Sequence, residues 1–223
     1  MKKLNLKGLN EERKWDYENG YYWFSSPARI NKLLAHYELY KMILDKPGDV
    51  LEFGVFKATS LIRFLSFRDA MENSHSRKII GFDTFESFPL EHLSLNSDYD
   101  FIQEFEQNSG EGLSKNEIEK IVENKGFSNY ELVRGNVFDS LPVFIESNPS
   151  LRISLLHLDM DVKEPTEYAL KLLYDRVVPG GIIVFDDYSS VEGATIVVDE
   201  FCHKYNLELR KLPFYSVPSF ITK

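Results

Sequence analysis

Short apolar runs and stretches of helical periodicity alternate along the chain. Ile30, Leu33, Leu34, Tyr37, Tyr40, Ile43 and Leu44 recur at helical spacing behind Ser26, a good N-cap, and Pro27, which suits the first helical position. Pro47-Gly48 stops that helix. Residues 49–54, 78–83, 131–134, 153–159 and 182–187 then read as strands, the fourth almost wholly apolar, as a strand buried on both faces should be. Helical patterns restart at Ser60 and cover about 165–175 and 191–205, and Pro179-Gly180-Gly181 reads as a turn. Two last strands, 207–212 and 219–222, follow with a short turn between them. This alternation predicts an α/β fold, a doubly wound, mostly parallel sheet whose C-terminal pair is antiparallel.

Two stretches break the rhythm and set the expected organisation. Residues 1–25 form a charged and then aromatic segment (Trp15, Tyr17, Tyr21, Tyr22, Trp23, Phe24) that docks on the domain, covers a ligand or touches another copy of the chain. Residues 86–126 read as an acidic, partly helical insertion into a domain spanning 26–223. Within the insertion, Ser114-Lys115-Asn116-Glu117 is a capping box, Ile118, Ile121 and Val122 form an apolar stripe, and Gly126 suits the C-terminal cap.

Charge narrows the class. Asp and Glu number 35 against 26 Lys and Arg, a net charge of −9 that argues against a nucleic-acid or anionic-membrane surface. Residues 91–125 alone carry nine acids and three lysines. The basic start has no apolar segment behind it, no run of 18 apolar residues occurs, and Cys202 is the single cysteine. The expectation is a soluble cytoplasmic protein without an intrachain disulfide.

Ligands of open α/β sheets bind beyond the carboxyl ends of the strands. There the chain places Glu52 and Gly54, Asp83, Asn136, Asp159 and Asp161, and Asp186 and Asp187. The first loop has only Gly54, followed by bulky Val55 and Phe56, so a pyrophosphate fits poorly. A ligand with an amino-acid end fits better, its ammonium facing Glu52 and its carboxylate near amides at the helix start; an ordinary tight turn is the plainer alternative. Asp83 has two acceptor oxygens for ribose hydroxyls, or it caps its own loop. If the fourth and fifth strands are neighbours, Asp159, Asp161, Asp186 and Asp187 converge, a donor set suited to Mg²⁺ or Ca²⁺; solvated turn residues are the alternative. His157 shares a strand face with Asp159, as a partner of the site, a general base or a hydrogen-bonded core histidine.

Four motifs stand in the order found in one family: Asp49-Val50-Leu51-Glu52-Phe53-Gly54-Val55-Phe56, Phe82-Asp83-Thr84-Phe85-Glu86-Ser87-Phe88-Pro89, His157-Leu158-Asp159-Met160-Asp161-Val162-Lys163-Glu164-Pro165-Thr166, and Pro179-Gly180-Gly181-Ile182-Ile183-Val184-Phe185-Asp186-Asp187-Tyr188. From about Phe24 to Lys223 the chain resembles the macrocin-type (TylF-like) O-methyltransferases, metal-dependent class I S-adenosylmethionine enzymes that methylate sugar hydroxyls. The resemblance implies a seven-stranded, Rossmann-like sheet. It also implies that Glu52, Gly54, Thr59 and Ser60 line the methionine end of the cofactor, with Asp159 beside it. Asp83 would hold the ribose, and Thr84, Phe85, Asn136 and Phe138 would border the adenosine. Asp159, Asp186 and Asp187 would bind Mg²⁺ and Asp161 would be the general base. The helix near 114–125 would form part of a lid. The implied acceptor is a sugar of a natural product, a nucleotide sugar or a surface glycan, and the N-terminal aromatics are a candidate contact for a homo-oligomer. Lys57-Ala58-Thr59 replaces the family's Arg-Gly-Gly, and Lys163 stands where Tyr is common. The competing readings are a phenolic or catechol-type O-methyltransferase and a degenerate copy of the fold that only binds; the latter should have lost its carboxylates, and all four are present.

Overall fold

Apolar residues on successive strands alternate between two cores, and this alternation builds the molecule. In the computed structural model, which describes residues 4–223, β3 (Asp49–Phe53) sends Leu51 and Phe53 to one face of the sheet and Val50 to the other. β6 (Ile153–Leu158) is buried along its whole length and does the same with Leu156 and Leu158 against Leu155. Both faces must therefore be covered by helices. Helices α2 (Pro27–Lys41), α3 (Thr59–Met71) and α5 (Lys115–Asn124) contribute to one core, and α6 (Val137–Ser147), α7 (Lys163–Leu173) and α8 (Glu192–Tyr205) to the other.

The sheet has seven strands in the order β5-β4-β3-β6-β7-β9-β8. β4 (Ile79–Asp83), β5 (Tyr130–Arg134) and β7 (Val177–Phe185) run parallel to β3 and β6; β9 (Tyr215–Thr222) lies antiparallel between β7 and β8 (Arg210–Leu212). The doubly wound sheet and its antiparallel C-terminal hairpin match the expectation. The chain order reverses at β3, which pairs with β4 on one side and β6 on the other. A crevice opens at such a reversal.

The local signals act as read at several points. Ser26 accepts from the Ala28 amide with Pro27 at the first helical position. The capping box of Ser114 and Glu117 forms, and Gly126 takes φ +73° just past α5. Elsewhere packing overrides the pattern. Pro179-Gly180-Gly181 lies inside β7, where the β6–β7 register shifts, instead of forming a turn. The segment before Ser26 is ordered as a two-residue hairpin, β1 (Asn5–Leu6) and β2 (Leu9–Asn10), followed by α1 (Lys14–Phe24). The insertion contains a second helix, α4 (Asn96–Ser109). The basic start at residues 1–3 lies outside the described residues. No described helix is long and apolar enough to cross a membrane.

One buried cation ties the base of the sheet together. The Arg77 guanidinium donates to both carboxylate oxygens of Glu72, to Ser154 Oγ at 2.6 Å and to the carbonyls of Ile43, Lys46 and Gly48. Arg77 and Glu72 are both nearly inaccessible, so removing one leaves the other charged and unpaired in the interior. Arg77→Met should therefore cost about 3–5 kcal/mol, read as a lowered urea midpoint with an unchanged slope. A loss below about 1 kcal/mol would show that the pair is dispensable.

Candidate active site

The carboxyl ends of β3, β4, β6 and β7 surround a cavity of about 990 Å³. Gly54, Thr59, Ser60, Asp83, Thr84, Phe85, Asn136, Phe138, Asp159, Asp161, Asp186 and Asp187, all expected at the site, line it. Glu52 and His157 do not. They point into the core beneath α2 and α3, because Glu52 shares its strand face with Val50 and His157 shares its face with Leu155.

Gly54 is required by its surroundings. Its φ is +90°, and a Cβ there would stand 1.8 Å from the Asp159 carbonyl oxygen. The first loop thus lies directly on the β6 end and brings the cofactor-loop motif against the aspartate motif. Asp83 is held by two amides, from Phe56 at 2.8 Å and Phe85 at 2.6 Å, and its Oδ1 also accepts from the Thr84 hydroxyl at 3.4 Å, so Oδ2 keeps a lone pair for a further donor. Asn136 caps α6 by accepting from the Phe138 amide at 3.2 Å. Ala58 stands in a left-handed conformation, φ +58°, which a glycine would adopt without strain. Lys57 reaches across to the Ser109 carbonyl, and the Leu113 amide donates to the Phe56 carbonyl at 2.9 Å, so the first loop is bound to the insertion.

The four aspartates divide into two groups. Asp159, Asp161 and Asp187 offer oxygens that all lie within 4.8 Å of one another. The Asp161 amide donates to Asp187 Oδ2 at 2.9 Å, which holds Asp161 at φ +63°. Burial first, and the neighbouring carboxylates second, drive Asp159 and Asp187 well above the ordinary carboxylate range and Asp161 up to about 7. Such an oxygen cluster is unstable as three bare anions and suits a hard divalent cation. Asp186, expected beside Asp159 and Asp187 as the third metal ligand, points toward bases instead. Its Oδ2 is paired with Lys32 Nζ, and its Oδ1 lies 3.5 Å from His157 Nε2 and 3.8 Å from His36 Nε2. Burial alone would raise Asp186, but these bases hold it well below the usual carboxylate range.

The second group forms a buried network from three elements. Its members are Lys32 and His36 on α2, Glu52 on β3 and His157 on β6, where His157 Nδ1 lies 3.5 Å from Glu52 Oε1. Burial alone would lower the Lys32 ammonium, yet Asp159, Asp186 and Asp187 together raise it. Burial pushes His36 down to about 4, so it is neutral at pH 7. Burial also opposes charge on His157, but Asp186 and Glu52 overcome it and raise the imidazole to about 10.

The pattern did not single out Lys32 and His36. Their signal is two bases, four residues apart, interrupting the inward face of an otherwise apolar helix. Asp98 in the acidic insertion was also overlooked. It is fully buried, accepting from the Lys163 amide at 2.9 Å and the Gly193 amide at 3.1 Å, and a Cβ on Gly193 would meet its carboxylate at 1.9 Å. At Lys163, where the family often has Tyr, this anchor uses the backbone.

His157 yields a pH test. A base whose pKa is raised on folding stabilises the fold below its unfolded value near 6.5, and that contribution is lost as pH rises toward 10. In EDTA-treated protein, ¹⁵N NMR should find His157 doubly protonated at pH 7, and Asp186→Asn should move its titration below neutrality. A neutral His157 in the wild type at pH 7 would refute this charge assignment.

The model of the macrocin-O-methyltransferase (TylF) family matches residues 27–212. The chain is 27% identical over 172 residues to 8-demethyl-8-(2,3-dimethoxy-alpha-L-rhamnosyl)-tetracenomycin-C 4'-O-methyltransferase of Streptomyces olivaceus, covering 72% of this chain and 60% of that protein. It is 26% identical over 168 residues to demethyldecarbamoylnovobiocin O-methyltransferase of Streptomyces niveus, with the same coverage. The chain thus spans 60% of the length of these two curated relatives. The apo structure of CalS11, a TDP-rhamnose 3'-O-methyltransferase in calicheamicin biosynthesis, superposes with a TM-score of 0.68 at 25% identity, over 94% of this chain and 86% of that one. The family match spans both the loop after β3 and the aspartates of β6 and β7, and the chain belongs to the macrocin O-methyltransferase (TylF) family.

Proposed function

We propose that the protein is an S-adenosylmethionine-dependent O-methyltransferase that uses a divalent cation, Mg²⁺ first among them, to methylate a sugar hydroxyl. The observation that carries this reading is the group of Asp159, Asp161 and Asp187 oxygens within 4.8 Å, in a cavity at the sheet's reversal point. Support for the sugar comes from the relatives, whose names specify a rhamnosyl and a TDP-rhamnose acceptor.

Asp159 and Asp187 are the residues that would hold the cation, and Asp186 would join them as a third ligand on releasing Lys32. Asp161, raised to about 7, is tuned to take a proton near neutral pH. The cation supplies polarisation of the acceptor hydroxyl, and the cofactor supplies an electrophilic methyl group. This chain contributes orientation and exclusion of water. Gly54 seats the cofactor loop on β6, Asp83 offers its remaining lone pair to the ribose, and Ser60 sits at the α3 start where a carboxylate is favoured. The α4–α5 insertion, anchored by Asp98, borders the cavity through Phe105, Glu106 and Gly112. Phe56, Phe85, Phe105 and Phe138 add aromatic walls, so a phenolic acceptor is the second reading.

Mass spectrometry of reactions with S-adenosylmethionine, Mg²⁺ and a panel of sugar and catechol acceptors should detect a 14 Da gain on a sugar, abolished by EDTA. Asp161→Asn should lower turnover by about 10²–10⁴-fold while Mn²⁺ affinity changes little. If the variant loses Mn²⁺ binding instead, Asp161 is a metal ligand and not the base. Full turnover in EDTA would remove the metal from the mechanism.

A further inference from the structure

Two arginines on the cavity wall lack anions. On α2, Arg29, Lys32 and His36 recur at three- and four-residue spacing and face the cavity; on α3, Thr59, Ser60 and Arg63 do the same. Lys32 is paired with Asp186. The Arg29 and Arg63 side chains have no hydrogen bond or ion pair among the described residues, although acids outnumber bases in the chain by 35 to 26. The other inward-pointing arginines are treated differently. Arg68 donates to the carbonyls of Arg77, Ser128 and Asn129, and Arg77 is saturated by Glu72 and its neighbours. Arg63 is half-buried; burial and the nearby Arg29 disfavour its charge, and Tyr21, Asp186 and Glu52, none of them bonded to it, favour it from a distance. The Tyr21 hydroxyl, within electrostatic reach of Arg63, is buried without a partner. Two guanidinium groups and a phenol are therefore gathered with donors to give and no acceptor to receive them. A half-buried guanidinium without an acceptor, as on Arg63, calls for an anion, and exposed Arg29 stands beside it.

We propose that Arg29 and Arg63 form an oxyanion-binding subsite on the α2–α3 wall of the cavity, with Tyr21 of α1 near Arg63, built for a carboxylate or phosphate group. Guanidinium groups recognise both through paired, charge-assisted hydrogen bonds. The inference rests on the reading of the cavity as a methyl-transfer site, which offers two sources of the anion. One is the carboxylate of the cofactor's amino-acid end, since Arg63 lies one turn beyond Ser60 on α3. The other is the phosphate of a nucleotide-linked sugar acceptor. With either occupant, the anion binds beside the acidic cluster without adding charge to it.

Calorimetric titration separates these sources. The probes are S-adenosylhomocysteine, its analogue S-adenosyl-3-thiopropylamine, which lacks only the carboxylate, and inorganic pyrophosphate added to protein loaded with that analogue. If the subsite takes the cofactor, Arg63→Met and Arg29→Met should weaken S-adenosylhomocysteine by about tenfold or more and leave the analogue unchanged. If it takes the acceptor, both variants should bind the two nucleosides as the wild type does and lose pyrophosphate. Equal affinity of wild type and both variants for all three probes would overturn the proposal. Should the wild type bind neither nucleoside, the methyl-transfer reading fails, and pyrophosphate titrated into the unloaded protein still decides the anion subsite. Arg63→Lys, which keeps the charge and loses the fork, should show an intermediate loss. Thermal melts of each variant separate a binding defect from a folding defect, and Arg29, on the exposed side of α2, supplies the variant least coupled to the core.

Discussion

Burying negative charge at the ends of three adjacent strands is the constraint around which the site is arranged. Glu52, Asp159, Asp161, Asp186 and Asp187 are brought together because β6 lies between β3 and β7 in register. No arrangement of five clustered anions is stable in a low-dielectric interior without cations. Part of the offset is internal: Lys32 and the protonated His157 serve Asp186, and His157 also faces Glu52. The remainder, Asp159, Asp161 and Asp187, has no internal cation of its own and stays electrostatically frustrated. Frustration confined to the cavity wall while the core beneath it is compensated is a signature of a binding site.

The same constraint explains which parts of the site could be read from sequence. Period-two and period-3.6 patterns place Asp83, Asp159 and Asp187 at strand ends, because one face of each strand must be apolar and its end must turn. They also predict Glu52 and His157 on the sheet, and the structure puts those two side chains underneath it. Whether a strand residue points to the cavity or to the core depends on which helices cover that face, and α2 and α3 are far away in sequence. Lys32, His36 and Arg63 escaped notice for the same reason: a base in an apolar helical face has meaning only when its partner on another element is known. The turn expected at Pro179-Gly180-Gly181 became part of β7 because pairing with β6 outweighs local turn preference, with a register shift accommodating the irregularity.

The acidic insertion reads differently once its anchor is seen. Nine acids within residues 91–125 suggest a solvated flap. Asp98 instead neutralises two amides at the starts of α7 and α8, where the helix dipole favours an anion. The insertion is thereby fixed over the strand ends that carry Asp161 and Asp187. Its opposite side is fixed to the first loop through Lys57 and Leu113. A cover tied at both ends borders the cavity beside the half-buried Asp159, Asp161 and Asp187.

The overall negative charge and the unpaired arginines then belong to one electrostatic design. A net charge of −9 repels anionic ligands at long range, so an anion-binding subsite in such a chain must be local and desolvated to hold its ligand. Arg29 and Arg63 sit on the helical wall and the carboxylates on the strand ends of the same cavity, with Asp186 within electrostatic reach of Arg63. A ligand that carries an anion at one end and brings a cation near the other matches both walls at once. S-adenosylmethionine has this layout, with its carboxylate three carbons from a sulfonium. A sugar nucleotide presented to a metal at its hydroxyl end and to guanidinium groups at its phosphates has it too. The presence of both charge types on one cavity is thus a constraint on the orientation of what binds.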